Sequence, residues 1–122
     1  MKVLVCEKVP SVQSALRLVL SQFREISHIT EAESTGSLKE KIAGERPDIL
    51  LIDHDFLGME TRDAIIALKA EYRDMSIVVL GKDTGLQYRH LKTYIDEYIV
   101  KGYPPDRLYN TLKHLIKKHR SS

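Results

Sequence analysis

The chain has one cysteine, Cys6, among 122 residues. An intrachain disulfide is excluded, and the usage fits a reducing cytoplasm. It has no long hydrophobic run. Its longest apolar stretch is Ala64–Leu68, and runs such as Ile49–Ile52 are shorter still, far short of the roughly 20 residues that cross a bilayer. The N-terminus lacks the apolar core and small-residue cleavage site of a secretory signal. Excess charge is scarce as well: 19 Lys and Arg stand against 17 Asp and Glu, for a net +2. A strongly electrostatic nucleic-acid binder is more basic than that. Neither a membrane nor a nucleic acid is therefore expected as a partner. Linkers, low-complexity segments and repeats are absent too. What remains is 43% hydrophobic and 30% charged, the balance of one globular domain spanning residues 1–122.

Short apolar runs alternate with amphipathic stretches. Val3–Cys6 is β-branched and too short for a helix. Val12, Ala15, Leu16, Val19, Leu20 and Phe23 recur at offsets of three and four, one face of a first helix. Pro10 suits its first turn, where no intrahelical donor is needed. Residues 27–32 read as a polar edge strand. Leu38 and Ile42 mark a second helix, ended by Gly44 and Pro47. Ile49–Ile52 is uniformly apolar and stops at Asp53, the pattern of a strand covered on both faces. A third helix carries Ala64, Ile65, Leu68 and Tyr72. Ile77–Leu80 repeats the buried-strand pattern and stops at Gly81. Residues 84–95 are expected to form a fourth helix, and Tyr98–Val100 a brief last strand. Pro104 and Pro105 open a fifth helix with Leu108, Leu112, Leu115 and Ile116 on one face.

Five strands in strict alternation with five helices imply right-handed crossovers and a parallel sheet covered on both faces. The fold expected is a single doubly wound (βα)5 α/β domain of flavodoxin-like type. The two most polar strands, second and fifth, suit the edges of the order 2-1-3-4-5. In such sheets ligands bind beyond the C-terminal strand ends. Those ends are Glu7-Lys8, Asp53-His54-Asp55, Gly81-Lys82-Asp83 and Lys101-Gly102. Any one polar residue there is what a chain leaving a buried strand requires. The joint pattern says more, because Glu7, Asp53 and Lys101 follow one another at intervals of 46 and 48 residues. Each interval holds two strand–helix units.

With those residues in place, the chain resembles a response-regulator receiver domain over nearly its full length. Pro47-Asp48-Ile49-Leu50-Leu51-Ile52-Asp53, followed by Gly58-Met59-Glu60, is similar to that family's phosphoacceptor strand and loop. The resemblance implies that Asp53 takes a phosphoryl group from a partner histidine kinase, and that Lys101 contacts it. It implies that Tyr98 is the aromatic residue that changes rotamer on activation. It also implies a Mg²⁺ site among Glu7, Asp53 and the backbone of Asp55, and a signalling module rather than an enzyme.

Several positions depart from the family pattern. The second of two adjacent acids, a direct Mg²⁺ ligand, is Lys8. The Ser or Thr after the fourth strand is Gly81, so the switch hydroxyl is missing, and its small neighbour is Lys82. The Pro after the lysine is Gly102, and a trans Lys101–Gly102 bond is expected, since cis costs about 3 kcal/mol before a non-proline residue. Glu7 and Asp53 give −2, and Lys8 and Lys101 give +2. Opposite charges about 4 Å apart gain on the order of 4 kcal/mol at intermediate dielectric. A Lys8–Asp53 pair is therefore expected to compete with Mg²⁺ and leave metal binding weak. An inward-turned Asp55 carboxylate is the alternative, restoring an acidic site. The reading is an atypical, stand-alone receiver that signals by protein contact, with or without phosphorylation.

Tyr88, Tyr94, Tyr98, Tyr103 and Tyr109 cluster between residues 88 and 109. Tyrosine is enriched at interface hot spots. The fourth helix, fifth strand and fifth helix are accordingly expected to form an output face, for a signalling partner or a second copy of the chain. The five histidines show no ligand spacing, Cys6 reads as a core residue, and Lys113–Arg120 as a solvated helix end. Two other readings share the fold class. A phosphatase-like hydrolase would use the Asp53/Asp55 pair, but its later motifs and cap are missing. A cobalamin module needs His where the chain has Asp55.

Overall fold

The computed structural model describes all residues except 35, 37, 59, 60, 83–85, 102–104 and 122, and only the backbone of 61, 86 and 87. Five strands, β1 (Lys2–Cys6), β2 (His28–Ala32), β3 (Ile49–Asp53), β4 (Ser76–Gly81) and β5 (Glu97–Val100), form one sheet in the order β2-β1-β3-β4-β5. Every neighbouring pair is parallel. Around it lie α1 (Pro10–Leu20), α2 (Leu38–Glu45), α3 (Thr61–Glu71) and α4 (Asp106–Arg120). This is the doubly wound arrangement, with the two most polar strands at the edges.

The alternation of side chains along each strand divides the core in two. Leu4, Cys6, Leu50, Ile52, Ile77 and Val79 face α2 and α3 with Leu38, Ile42, Ile65 and Leu68. Val3, Val5, Ile49, Leu51, Val78, Leu80 and Ile99 face α1 and α4 with Leu16, Leu20, Leu112 and Leu115. Because both faces are covered, the central strands read as unbroken apolar runs. Each fully buried Leu or Ile contributes about 1.5–3 kcal/mol relative to exposure.

Two aspartates pin the opposite ends of the strands. Asp48 Oδ2 accepts the Lys2 N–H at 2.8 Å, and Asp96 Oδ2 accepts the Ile77 N–H at 2.8 Å. Ser76, buried at the start of β4, bonds His119 at 2.9 Å and ties the end of α4 to the sheet.

Some local expectations change. Ala15 is exposed rather than part of the α1 core stripe. The fourth helix is a 3-10 helix, Leu86–Leu91. Among its described side chains the two buried ones, Tyr88 and Leu91, are three residues apart, and that spacing matches a helix of three residues per turn. The fifth helix begins at Asp106 with Pro105 as its N-cap. The expectations placed on Tyr103, Pro104 and the Lys101–Gly102 bond lie outside the described residues.

Candidate functional site

The parallel ladders bring the C-terminal ends of β1, β3, β4 and β5 to one edge, and Glu7, Asp53, Gly81 and Lys101 arrive there together. Glu7 follows the buried run Val3–Cys6 and is itself only 1% exposed. The Lys101 ammonium lies 2.6 Å from Glu7 Oε2 and 2.6 Å from Asp53 Oδ1. Glu7 Oε1 accepts the Val9 N–H at 3.2 Å, and Asp53 Oδ2 accepts the Asp55 N–H at 3.0 Å. Each of the four carboxylate oxygens thus has an N–H partner. Burial lowers the Lys101 pKa, but hydrogen bonds and charge from Asp53 and Glu7 outweigh it and leave the group above the usual lysine value.

Lys8 is not the partner of Asp53 that its sequence position suggested. It is exposed, with its ammonium 5.7 Å from the centroid of the Phe56 ring, within cation–π range. Both residues lie past the end of β1, where Glu7 is buried in the mouth and Lys8 is exposed at its rim beside Phe56. The cation beside Asp53 is Lys101, so among the described residues the ion-paired group at the mouth is two acids and one ammonium rather than a balanced set.

The Asp55 carboxylate does not turn inward either. Its side chain is 65% exposed and lies 3.6 Å from His54 Nε2. Its backbone does the local work: the N–H bonds Asp53, and the carbonyl accepts the Gly58 N–H at 3.1 Å. Gly58 has φ +64°, in the left-handed region glycine adopts readily.

These partners limit what a divalent cation would find. Mg²⁺ prefers six oxygens in near-octahedral array. Glu7 and Asp53 offer carboxylates already bonded to N–H groups, and Lys8 stands where a further acid would serve. Among the described residues, no three His, Cys, Asp or Glu side chains converge on a cation site. The residues fit Mg²⁺ poorly.

Gly81 ends β4 beside the mouth. A Cβ built on it would lie 1.7 Å from the Tyr98 hydroxyl oxygen and 2.6 Å from Tyr98 Cζ. Tyr98 therefore occupies the volume that a side chain at 81 would need. Its ring lies 5.3 Å from that of Tyr88, whose hydroxyl bonds His54 Nδ1 at 2.9 Å. Sequence reasoning missed this aromatic chain; its signal was a glycine closing β4 two positions beyond Val79, the register partner of Tyr98. Burial, with the Tyr98 hydroxyl nearby, pushes the Tyr88 pKa up to about 12. Burial likewise pushes the Cys6 thiol up to about 12, as befits an inert core residue.

The expected tyrosine surface is corrected in two places. Tyr88 is 2% exposed and belongs to the core beside α3. Tyr109 packs on the other side of the sheet, its ring 4.7 Å from Phe23. Tyr94 and Tyr98 are partly buried against the same cluster as Tyr88. The four do not share one exposed face.

The comparisons with known proteins agree with this architecture. Residues 3–113 match the family model of the response regulator receiver domain. No curated protein matches the sequence. Among solved structures, the chain is similar to the beryllofluoride-activated N-terminal receiver domain of Klebsiella pneumoniae RstA, at 23% identity and a TM-score of 0.81, covering 95% of this chain and 98% of that one. It is similar to the REC domain of AraT, a response regulator from Geobacillus stearothermophilus, at 18% identity and a TM-score of 0.83, covering 98% and 95%. It also aligns with RcsB from Salmonella enterica serovar Typhimurium bound to promoter rprA, at 22% identity and a TM-score of 0.82, where it covers 97% of itself and 62% of that chain. With the family model spanning almost all of a sheet whose mouth holds Asp53 against Lys101, the chain belongs to the response-regulator receiver domains of two-component signalling.

Proposed function

We propose that this receiver takes a phosphoryl group on Asp53 from a partner histidine kinase, holds Mg²⁺ weakly, and passes its signal on by protein contact. Receiver domains are in general signalling modules rather than enzymes, and they generally bind Mg²⁺ in their acidic pocket. The observation that carries the reading is the Lys101 ammonium set 2.6 Å from both Glu7 and Asp53. In the transfer, an Asp53 oxygen forms a bond to phosphorus as the bond from phosphorus to the kinase imidazole nitrogen breaks. The electron pair of that bond leaves with the imidazole. Lys101 touches the attacking carboxylate and offsets part of the incoming charge. Glu7 holds Lys101 at that spot.

The Asp53/Asp55 hydrolase reading is disfavoured, because the Asp55 carboxylate faces His54 and solvent. The proposed output face lies along the 3-10 helix, β5 and α4. There Arg89, Lys92 and Arg107 stand near Asp96 and Glu97 around a concavity of about 430 Å³. Mixed charge of that kind suits a signalling protein or a second copy of this chain.

The test is phosphorylation by acetyl phosphate or a phosphorylated histidine kinase across a Mg²⁺ series, read by intact mass. The expected result is a single acyl phosphate, slow to form and lost in Asp53→Asn. Phosphate on another residue, or none under any of these conditions, would overturn the assignment of Asp53. Tight Mg²⁺ binding by the unmodified protein would overturn the weak-metal part.

A further inference from the structure

The contact between Gly81 and Tyr98 has a consequence for output rather than for chemistry at Asp53. We propose that Tyr98 is held permanently in the notch left by Gly81, so the β5 surface keeps one shape whatever the state of Asp53.

The geometry is restrictive. The Tyr98 hydroxyl oxygen, Cζ and Cε2 lie 1.7, 2.6 and 3.1 Å from where a Cβ at position 81 would sit. Contacts that short do not occur between real atoms, so this ring position exists only because residue 81 has no side chain. The backbone of Gly81 is not in the left-handed region, so an alanine there would strain nothing but this contact. The flexible partner is Tyr98, and it is the ring that would have to leave.

Other contacts favour the same position. The Tyr98 ring lies against Tyr88 at 5.3 Å and 30°. Tyr88 is itself immobilised by burial, by an edge contact with His54 at 5.4 Å and by the 2.9 Å hydrogen bond to His54 Nδ1. An aromatic pair of this kind is stabilised beyond the area it buries. A ring with a fitted cavity and a fixed neighbour does not need a phosphoryl group to draw it inward. The concavity outside it, bordered by Ile95, Val100 and Arg107, is then a standing feature of the molecule.

The inference is tested by NMR on protein carrying 3-fluorotyrosine, with the Tyr98 signal assigned by Tyr98→Phe. Asp53→Asn removes the charge that Lys101 binds and so alters the mouth without any ligand. Beryllofluoride with Mg²⁺ is a second arm. The Tyr98 signal is expected to be unchanged in both. Gly81→Ala is expected to shift it to the position of a solvent-exposed tyrosine and to lower the melting temperature. Gly81→Ala/Tyr98→Ala should remove that destabilisation relative to Tyr98→Ala alone, which keeps the test informative even where Gly81→Ala folds poorly. A Tyr98 signal that moves in Asp53→Asn would overturn the proposal. So would a Gly81→Ala protein with wild-type stability and an unmoved ring. Failure of Asp53 to accept phosphate would count against the proposed function alone, because the Gly81 and Asp53→Asn arms need no phosphate.

Discussion

Replacing Lys101 with methionine keeps the aliphatic volume and removes the ammonium that joins β1 to β3. At the 2.6 Å separations observed, each contact carries about 6 kcal/mol of Coulomb attraction at an effective dielectric of 20, most of it offset by desolvation. The deletion does not simply lose that small net sum. It leaves Glu7, 1% exposed, as a carboxylate facing Asp53 with the Val9 N–H as its remaining described partner. Removing one member of a buried pair costs about 3–5 kcal/mol. The Lys101 and Asp53 side chains keep 20% and 13% of their surface in water, which places the expected loss near the lower end, about 3 kcal/mol. Urea denaturation at neutral pH measures it as a lower midpoint at unchanged slope. Glu7→Gln in the same chain should recover most of the loss, because the stranded charge is gone. Mg²⁺ should stabilise Lys101→Met more than the wild type, by mass action on the vacated carboxylates. A single variant within about 0.5 kcal/mol of wild type, the range of ordinary surface substitutions, would show that water rather than Lys101 satisfies Glu7.

Three further outcomes follow from the same contacts. The Lys101 pKa is raised in the fold, so its contribution is fully present below the ordinary lysine value of 10.5 and is lost as pH rises through the higher folded value; the stability gap between wild type and Lys101→Met should therefore hold from neutral pH to that point and close only above it. With Tyr88 pushed up to about 12, spectrophotometric titration should show a late tyrosine that disappears in Tyr88→Phe; a titration curve unaltered by that substitution would refute the burial argument. Lys8→Asp exchanges an exposed cation for an acid beside the mouth, and calorimetry should then record tighter Mg²⁺ binding; an unchanged Kd would show that the missing acid is not what weakens the metal.

The sheet was legible because its evidence is periodic. Ile49–Ile52 and Ile77–Leu80 are apolar at every position, which only a strand covered on both faces requires, and the strand ends follow once those runs are placed. The polar content of residues 27–32 pointed to an edge for the same reason. Convergence of Glu7, Asp53 and Lys101 was legible because topology alone moves strand ends together. What sequence could not supply was direction. Whether Lys8 or Lys101 reaches Asp53 depends on which side of the strand exit each side chain leaves, and both are lysines. The tyrosines show the same limit: Tyr88 and Tyr109 look alike in sequence, yet one is buried from the 3-10 helix into the core beside α3 and the other lies against Phe23 across the sheet. The 3-10 geometry of Leu86–Leu91 was hidden because three- and four-residue spacings overlap in so short a segment.

Lys8 and Gly81 alter the two ends of a receiver separately, and the separation has a thermodynamic form. A receiver transmits only if the free energy of modifying Asp53 differs between the two positions of its output residue. Lys8 bears on the first quantity, by changing what the mouth can bind. Gly81 bears on the second, by admitting Tyr98 to a volume that a side chain at 81 would contest. Restoring an acid at 8 alone should then improve ligand binding at the mouth without moving the ring. Restoring a threonine at 81 alone should free the ring without improving ligand binding. Coupling, measured as a change in Tyr98 position caused by beryllofluoride, requires both substitutions together, because a ligand with equal affinity for two states shifts neither. Coupling in Lys8→Asp alone would mean that Tyr98 leaves its notch readily and that the glycine does not hold the output fixed.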